Sequence, residues 1–303
     1  MGEDREYREL RPLLFSVAYR MVGSVSEAED IVQESFLRYH RATRGGQQVD
    51  SPKSYLCTVA TRLSIDHLRS ARVRRETYVG TWLPEPLLGD RDPAAVQASP
   101  QDPAERAASA DSLSLAFLVL LESLTPVERA VFLLHDVFGF DYPEIAEIVG
   151  KSETNCRQLG SRARRHIVDR QPRFEASRQR RAELADRFFA ACELGDLDGL
   201  VDLLASDVVM YGDGGGKGEA VKTPVRGRLR VGRFLLGLMR QARRRELVLR
   251  PAAVNGQPGA VVRTPDGQVI AVLALEIVAG RIQAVHSIVN PDKLGHLQLA
   301  ATG

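Results

Sequence analysis

The run from Phe138 to Ile167 admits few folds: a short helix with an apolar face, a glycine turn, and a second helix armed with arginines. Ile145, Ala146, Ile148 and Val149 supply the inner face of the first helix. Gly150 suits the left-handed position after it, and Ser152 stands where it can cap the next helix. That second helix presents Thr154, Asn155, Arg157, Gln158, Ser161 and Arg162, residue types that read base edges in a major groove. Arg164 and Arg165 suit phosphates. Such patterns are short, so a solvated helical hairpin with a charged face is the alternative reading.

A chain of 303 residues predicts two or three domains. No stretch approaches the roughly 20 apolar residues that a membrane span needs. The charged start, Met1 to Glu6, lacks the apolar core of an export signal, so a cytoplasmic location is expected. Cys57, Cys156 and Cys192 are scattered without a Cys-x-x-Cys pair, which argues against a zinc site and a disulfide framework. No metal or cofactor is expected. The net charge of +2 hides arginine clusters at 62–75, 157–181 and 240–250. Each cluster is either a phosphate-binding stripe or a solvated helix face.

Leu10, Leu13, Leu14, Val17, Ala18 and Met21 fall at helical spacing, and Gly23 ends that helix. Ser26-Glu27-Ala28-Glu29 reads as a capping box for a second helix with Ala28, Ile31, Val32, Ser35, Phe36 and Tyr39 inside. After the loop 44–50, Ser51 and Pro52 open a long third helix. It carries Tyr55, Arg62, Asp66, His67, Arg69, Arg72, Arg74 and Arg75, a set suited to following a single strand while opened bases stack or enter pockets. Tyr55 reads equally well as a core aromatic.

Residues 78–103 contain five prolines and read as an extended linker. Its Trp82-Leu83-Pro84-Glu85-Pro86-Leu87 holds the only tryptophan, which suggests an anchor docked on a partner surface, against incidental burial beside the first unit. An apolar helix at 112–124 and a capping box at Thr125-Pro126-Val127-Glu128 precede the helix-turn-helix. Beyond Pro172 the pattern changes to helices at 178–194, 197–205 and 228–245, with strands at 207–211, 247–254, 259–264, 268–278 and 281–289. That mixture predicts an α+β domain. The glycine run after Asp213 fails as a phosphate loop. Tyr211 stands where the first glycine is needed and Gly218 where Ser or Thr follows the lysine. A flexible hairpin and a contact loop with close backbone approach both remain open for it.

Ala28 to Arg38 and Ala60 to Arg69 resemble sigma domain 2 of extracytoplasmic-function sigma factors (sigma-70 family), and Leu124 to Arg165 resembles sigma domain 4. Trp82-Leu83-Pro84-Glu85-Pro86, Asp213-Gly214-Gly215-Gly216-Lys217 and Asn290-Pro291-Asp292-Lys293-Leu294 resemble the subgroup with a SnoaL-like C-terminal extension. Arg62 stands where many of these factors carry asparagine. The resemblance implies a multidomain fold: two all-α helical DNA-binding domains at 1–76 and 106–172, a linker at 77–105, and an α+β SnoaL-like cone at 178–296.

The resemblance also implies a non-enzymatic subunit that directs core RNA polymerase to promoter DNA. Asp30, Gln33 and Glu34 would contact the beta-prime clamp helices, and domain 4 the beta flap. Tyr55, Arg62, Asp66, His67, Arg69 and Arg72 would hold the melted minus-10 element. Ser152, Thr154, Asn155, Arg157, Gln158, Ser161, Arg162 and Arg165 would read the minus-35 element. The three subgroup motifs are expected to make regulatory contacts in cis. The cone is a candidate enclosure for a small ligand, and Tyr211, Asp213 and His286 are its candidate acid/base group. An enzyme or small-ligand sensor fused to a DNA-binding module is the competing class, and a one-component repressor a third.

Overall fold

Helix α1 (Gly2–Val22) stops at Gly23, whose φ of 70° is the left-handed conformation glycine adopts without strain. Ser24 then caps α2 (Val25–Arg44), its hydroxyl accepting from the Glu27 amide at 3.2 Å. The capping box expected at Ser26 is therefore corrected. The turn at Gly23 leaves Ser24 in extended backbone (φ −128°), so the helix begins earlier and Ser26 lies inside it. Helix α3 (Pro52–Glu76) opens with proline, which lacks the amide a first turn leaves unpaired.

The computed structural model describes residues 2–76, 78–89, 111–168, 178–221 and 223–299, which fall into two units. The first holds 2–76, 111–113 and 117–168. The second holds 78–89, 114–116 and 178–299. No described helix is long and apolar enough to cross a membrane.

In the first unit α1, α2 and α3 pack around Leu14, Ala18, Tyr19, Ala28, Val32, Leu56 and Ala60. The apolar helix expected at 112–124 is shorter: α4 spans Leu115–Leu121, and the amides of Glu122, Ser123 and Leu124 turn back three residues rather than four. The box at Thr125 forms as expected and starts α5 (Pro126–Phe132), which widens into a π-turn at Leu133–Val137. Helix α6 (Tyr142–Val149) has a second capping box, between Asp141 and Glu144. It ends at Gly150 with φ 66°, and α7 (Glu153–Val168) follows. Arg129 is fully buried. Burial pulls its pKa down to about 9, and its donors offset that cost on the carbonyls of Met21 (2.6 Å) and Leu121 (2.7 Å) and on Glu122 (2.8 Å). It ties α5 to the end of α1.

The second unit starts with α8 (Arg178–Leu194) and α9 (Leu197–Leu203). Strand β1 (Leu204–Asp213) begins three residues before the expected start, because Leu204 already pairs with Ile282, and α9 is correspondingly shorter. Strand β2 (Val225–Arg226), α10 (Arg228–Arg244), β3 (Val248–Val254), β4 (Gln257–Arg263), β5 (Val269–Val278) and β6 (Arg281–Ile288) follow. A single turn at Pro291–Lys293 and α11 (Gly295–Leu299) complete it. The strand order is β2-β1-β6-β5-β4-β3, with β1 parallel to β6 and the other neighbours antiparallel.

One face of the sheet, carrying Met210, Val285, Leu275 and Ala260, packs against Phe188, Phe189, Leu200, Val231 and Leu235 of the helices. The other face carries Tyr211, Asp213, His286 and Glu276, as the pairings Tyr211 with His286 and Glu276 with Ala284 require.

Candidate nucleic-acid interface and linker clasp

Helix α7 divides cleanly around its axis. Cys156, Gly160, Ala163 and Ile167 are buried, while Ser152 before it and Thr154, Arg157, Gln158, Ser161, Arg162 and Arg165 on it are exposed. Asn155 is half-buried. Gly160 breaks helix propensity for a packing reason: an added Cβ would stand 2.9 Å from the Tyr142 hydroxyl and 3.5 Å from Val131. Ser152 caps through the Asn155 amide at 3.3 Å. Arg157 pairs with Glu153 at 2.5 Å and lies 4.8 Å over the Tyr142 ring. Arg164 is held by Asp136 at 2.6 Å. Arg162 has no hydrogen bond or ion pair among the described residues.

The expected single-strand face of α3 is only partly open. Asp66 and Arg69 are exposed and pair with each other at 3.2 Å, and His67 lies 3.1 Å from Glu27. Tyr55 is half-buried with its ring 5.9 Å from that of Tyr39, a mainly structural setting. Arg62 points its guanidinium at the carboxyl end of α6, donating to Ile148 O at 2.9 Å and Glu147 O at 3.0 Å. Those carbonyls are the unpaired negative end of a helix, so the cation suits them. The side chain of Arg72 lies outside the described residues.

On α2, Asp30 and Gln33 are exposed and Glu34 pairs with Arg38 at 2.7 Å. Leu37, 49% exposed, falls on the same face one turn on and was missed. Its signal was an apolar residue outside the core stripe.

The three motifs of the second unit converge. The Asp213 carboxylate, 0% exposed, accepts from the Tyr78 hydroxyl, from the Leu83 amide at 2.7 Å and from Lys293 Nζ at 2.6 Å. Lys293 also donates to the Leu83 carbonyl and sits 4.5 Å over the Trp82 ring and 5.0 Å over Tyr78. Asn290 donates to the Tyr78 oxygen at 2.9 Å, and Lys217 pairs with Asp292 at 2.6 Å.

Gly215 and Gly216 (φ 57° and 75°) lie against Asn290, Tyr78 and Val79, so the glycine run is a contact loop. Farther along, Leu87 exchanges hydrogen bonds with Asn255 (2.9 and 2.8 Å), and His296 bonds the Pro86 carbonyl at 2.8 Å. Leu83, Pro84, Glu85 and Pro86 are buried, and Trp82 half-buried, on this surface. Burial beside Asp213 raises the Tyr78 pKa well above the usual tyrosine range, so it stays a donor. Tyr78, Asn255 and His296 were not foreseen, since each lies outside a motif.

The candidate acid/base group of Tyr211, Asp213 and His286 does not assemble. Tyr211 stacks on His286 at 5.4 Å, but Asp213 is committed to the linker. Cys57, Cys156 and Cys192 are buried, and burial pushes Cys57 and Cys192 up to about 12 and Cys156 upward, so all three are held as thiols.

A helix-turn-helix, a second basic helix and a clasped tether define a multidomain DNA-binding protein. Models of known families agree: Sigma-70 region 2 matches residues 6–74, and Sigma-70, region 4 matches residues 114–167. The ECF RNA polymerase sigma factor SigJ of Mycobacterium tuberculosis is 39% identical over 304 residues, covering 96% of this chain and 93% of SigJ. The probable ECF RNA polymerase sigma factor SigI of the same species is 37% identical over 298 residues, covering 98% and 96%. The crystal structure of M. tuberculosis SigJ matches with a TM-score of 0.73 at 36% identity, over 96% of this chain and 98% of that one.

The chain belongs to the extracytoplasmic-function RNA polymerase sigma factors of the sigma-70 family, which direct the polymerase to promoters. Its helical regions 2 and 4 are followed by a C-terminal unit built on a six-stranded mixed sheet, a layout shared over nearly the whole length with SigJ.

Proposed function

We propose that this sigma factor is restrained in cis by the clasp on residues 78–89. Elements named for positions minus 10 and minus 35 lie roughly 85 Å apart on B-form DNA, at about 3.4 Å per base pair. In the free chain α3 packs on α6, with Arg62 spent on the Ile148 and Glu147 carbonyls. Region 2 and region 4 therefore have to separate on a promoter. The tether between them includes residues 78–89, and holding those 12 residues on the C-terminal unit removes about 40 Å of reach. The observation that carries the reading is the buried Asp213 carboxylate, shared by Tyr78, Leu83 and Lys293.

Within this reading the exposed side of α7, with Thr154, Gln158, Ser161, Arg162 and Arg165, reads the minus-35 duplex in the major groove. Tyr55, Arg62, Asp66, His67, Arg69 and Arg72 serve the opened minus-10 strand, Arg62 only after it leaves α6. Asp30, Gln33 and Glu34, with Leu37, face the beta-prime clamp helices, and region 4 meets the beta flap. Domain limits of 1–76, 77–105, 106–172 and 178–296 follow from this division, and the protein acts in the cytoplasm, where the polymerase is.

The C-terminal domain binds rather than catalyses. Its buried histidine and carboxylates lie on the sheet face opposite the helices, and Asp213 is engaged there.

Transcription in vitro with core polymerase tests this. The intact chain initiates at its promoters, and Asp213→Ala, which opens the clasp, raises output. Failure of the intact chain to initiate at any promoter rejects the sigma reading. Equal output from the two proteins rejects the restraint.

A further inference from the structure

Between the sheet and the helices of the C-terminal unit lies a cavity of about 800 Å³, within the roughly 300–1,000 Å³ range of small-molecule sites. Its floor is Met210, Ser287, Leu273, Ala271, Val262 and Leu249, and its opposite wall is Phe189, Phe234, Leu238 and Met239. The floor carries no charged side chain. Its one hydroxyl, Ser287, makes no side-chain hydrogen bond among the described residues. Its charged lining residues are all exposed: Glu219 pairs with Arg245 at 3.1 Å, Arg243 donates to the Glu193 carbonyl, and the carboxylates of Asp186 and Glu193 stand toward solvent. A charged occupant would have to give up water for an apolar floor, whereas a neutral one with a single polar group would find Ser287.

The same two strand ends that line this cavity hold the clasp on their other face. On β1, Gly212 faces the cavity and Asp213 the linker. On and after β6, Ser287 and Val289 face the cavity, while Asn290 bonds Tyr78. The loop 214–221 joins the two sides with no slack. A Cβ on Gly212 would stand 2.7 Å from Val221, and one on Gly214 would stand 2.6 Å from the Gly218 carbonyl and 2.9 Å from Ala220. Glu219, Ala220 and Val221 wall the cavity, and Gly215 and Gly216 lie against Tyr78 and Val79.

We propose that this cavity binds an uncharged, predominantly apolar small molecule, and that the occupant displaces Glu219–Val221 and so loosens the hold on residues 78–89. The inference rests on the cis-restraint reading and supplies its signal. A ligand shifts the clasp only as far as it prefers the displaced loop.

The test uses the full chain and a neutral fluorescent probe, N-phenyl-1-naphthylamine, with two cavity-filling variants on opposite walls, Ala271→Phe and Leu238→Trp. The probe is expected to saturate at one per chain and to bind at least about tenfold more weakly to either folded variant. Hydrogen exchange at the Leu83 amide is expected to speed up about tenfold when the probe is bound. Absence of saturable binding, or equal binding to a folded variant, overturns the site. Saturable binding with unchanged exchange at Leu83 overturns the coupling. Neither readout involves polymerase, so a chain that binds the probe yet never initiates transcription counts against the sigma reading and leaves the cavity standing.

Discussion

The reading face of α7 and the clasp around Asp213 are built in opposite ways. One 16-residue helix displays the first, its outward side chains set by helical periodicity and most of them open to water. The second gathers Tyr78, Asp213, Asn290 and Lys293, and 212 residues separate Tyr78 from Asn290. On α7 Thr154, Gln158 and Arg162 make no side-chain bond among the described residues and act nearly alone, whereas Arg157 and Arg164 lean on neighbours. In the clasp every member satisfies another in a low-dielectric setting, so losing one strands the rest.

The largest effect expected follows from Asp213→Ala, which leaves the buried Lys293 ammonium without its counter-charge at a cost of about 3–5 kcal/mol to the C-terminal unit. Trp82 is the only tryptophan, so its emission should shift to the red as the segment frees. An unchanged spectrum and melting temperature would show that the four groups do not cooperate. The helical unit offers its own buried cation as a control. Arg129→Ala should cost about 3 kcal/mol by stranding the Met21 and Leu121 carbonyls, measured by chemical unfolding, while Trp82 emission stays unchanged. A red shift there would merge two sites that are held to be independent.

Smaller effects should mark the surface. Arg62→Ala removes two hydrogen bonds at the end of α6, worth about 1 kcal/mol in a half-open setting, and should speed amide exchange in α6. Unaltered exchange would mean that the contact contributes nothing to the closed form. Arg162→Ala should leave stability within about 0.5 kcal/mol yet weaken promoter discrimination by roughly 1–3 kcal/mol, read by competition between cognate and mismatched minus-35 duplexes. Equal discrimination would remove Arg162 from the reading set.

Much of the helical unit was legible in the chain. The box at Thr125, the turn at Gly150 and the start at Pro52 are short-range signals, and each formed where the residues announced it. Ser24 replaced Ser26 as a cap because the turn before it, not the motif, set the first extended residue. The five long strands were legible as strand-like stretches within three residues of their observed bounds, while the two-residue β2 was too short to show a period. The motif residues around Trp82, Asp213 and Lys293 were named in advance. Their mutual contacts were not derivable from spacing, and Tyr78, Asn255 and His296 carried no local signal at all.

Residue order alone established most of the helices, the caps at Thr125 and Ser152, the outward arginines of α7 and the long strands, because those depend on backbone periodicity and on neighbours within a turn. Three-dimensional packing alone chose the partners of the cations. Arg62 went to a helix end, Arg129 to buried carbonyls and Lys293 to Asp213 and two aromatic rings. A positive charge seeks whatever acceptor burial leaves unsatisfied, and which acceptors are left depends on contacts between segments far apart in the chain.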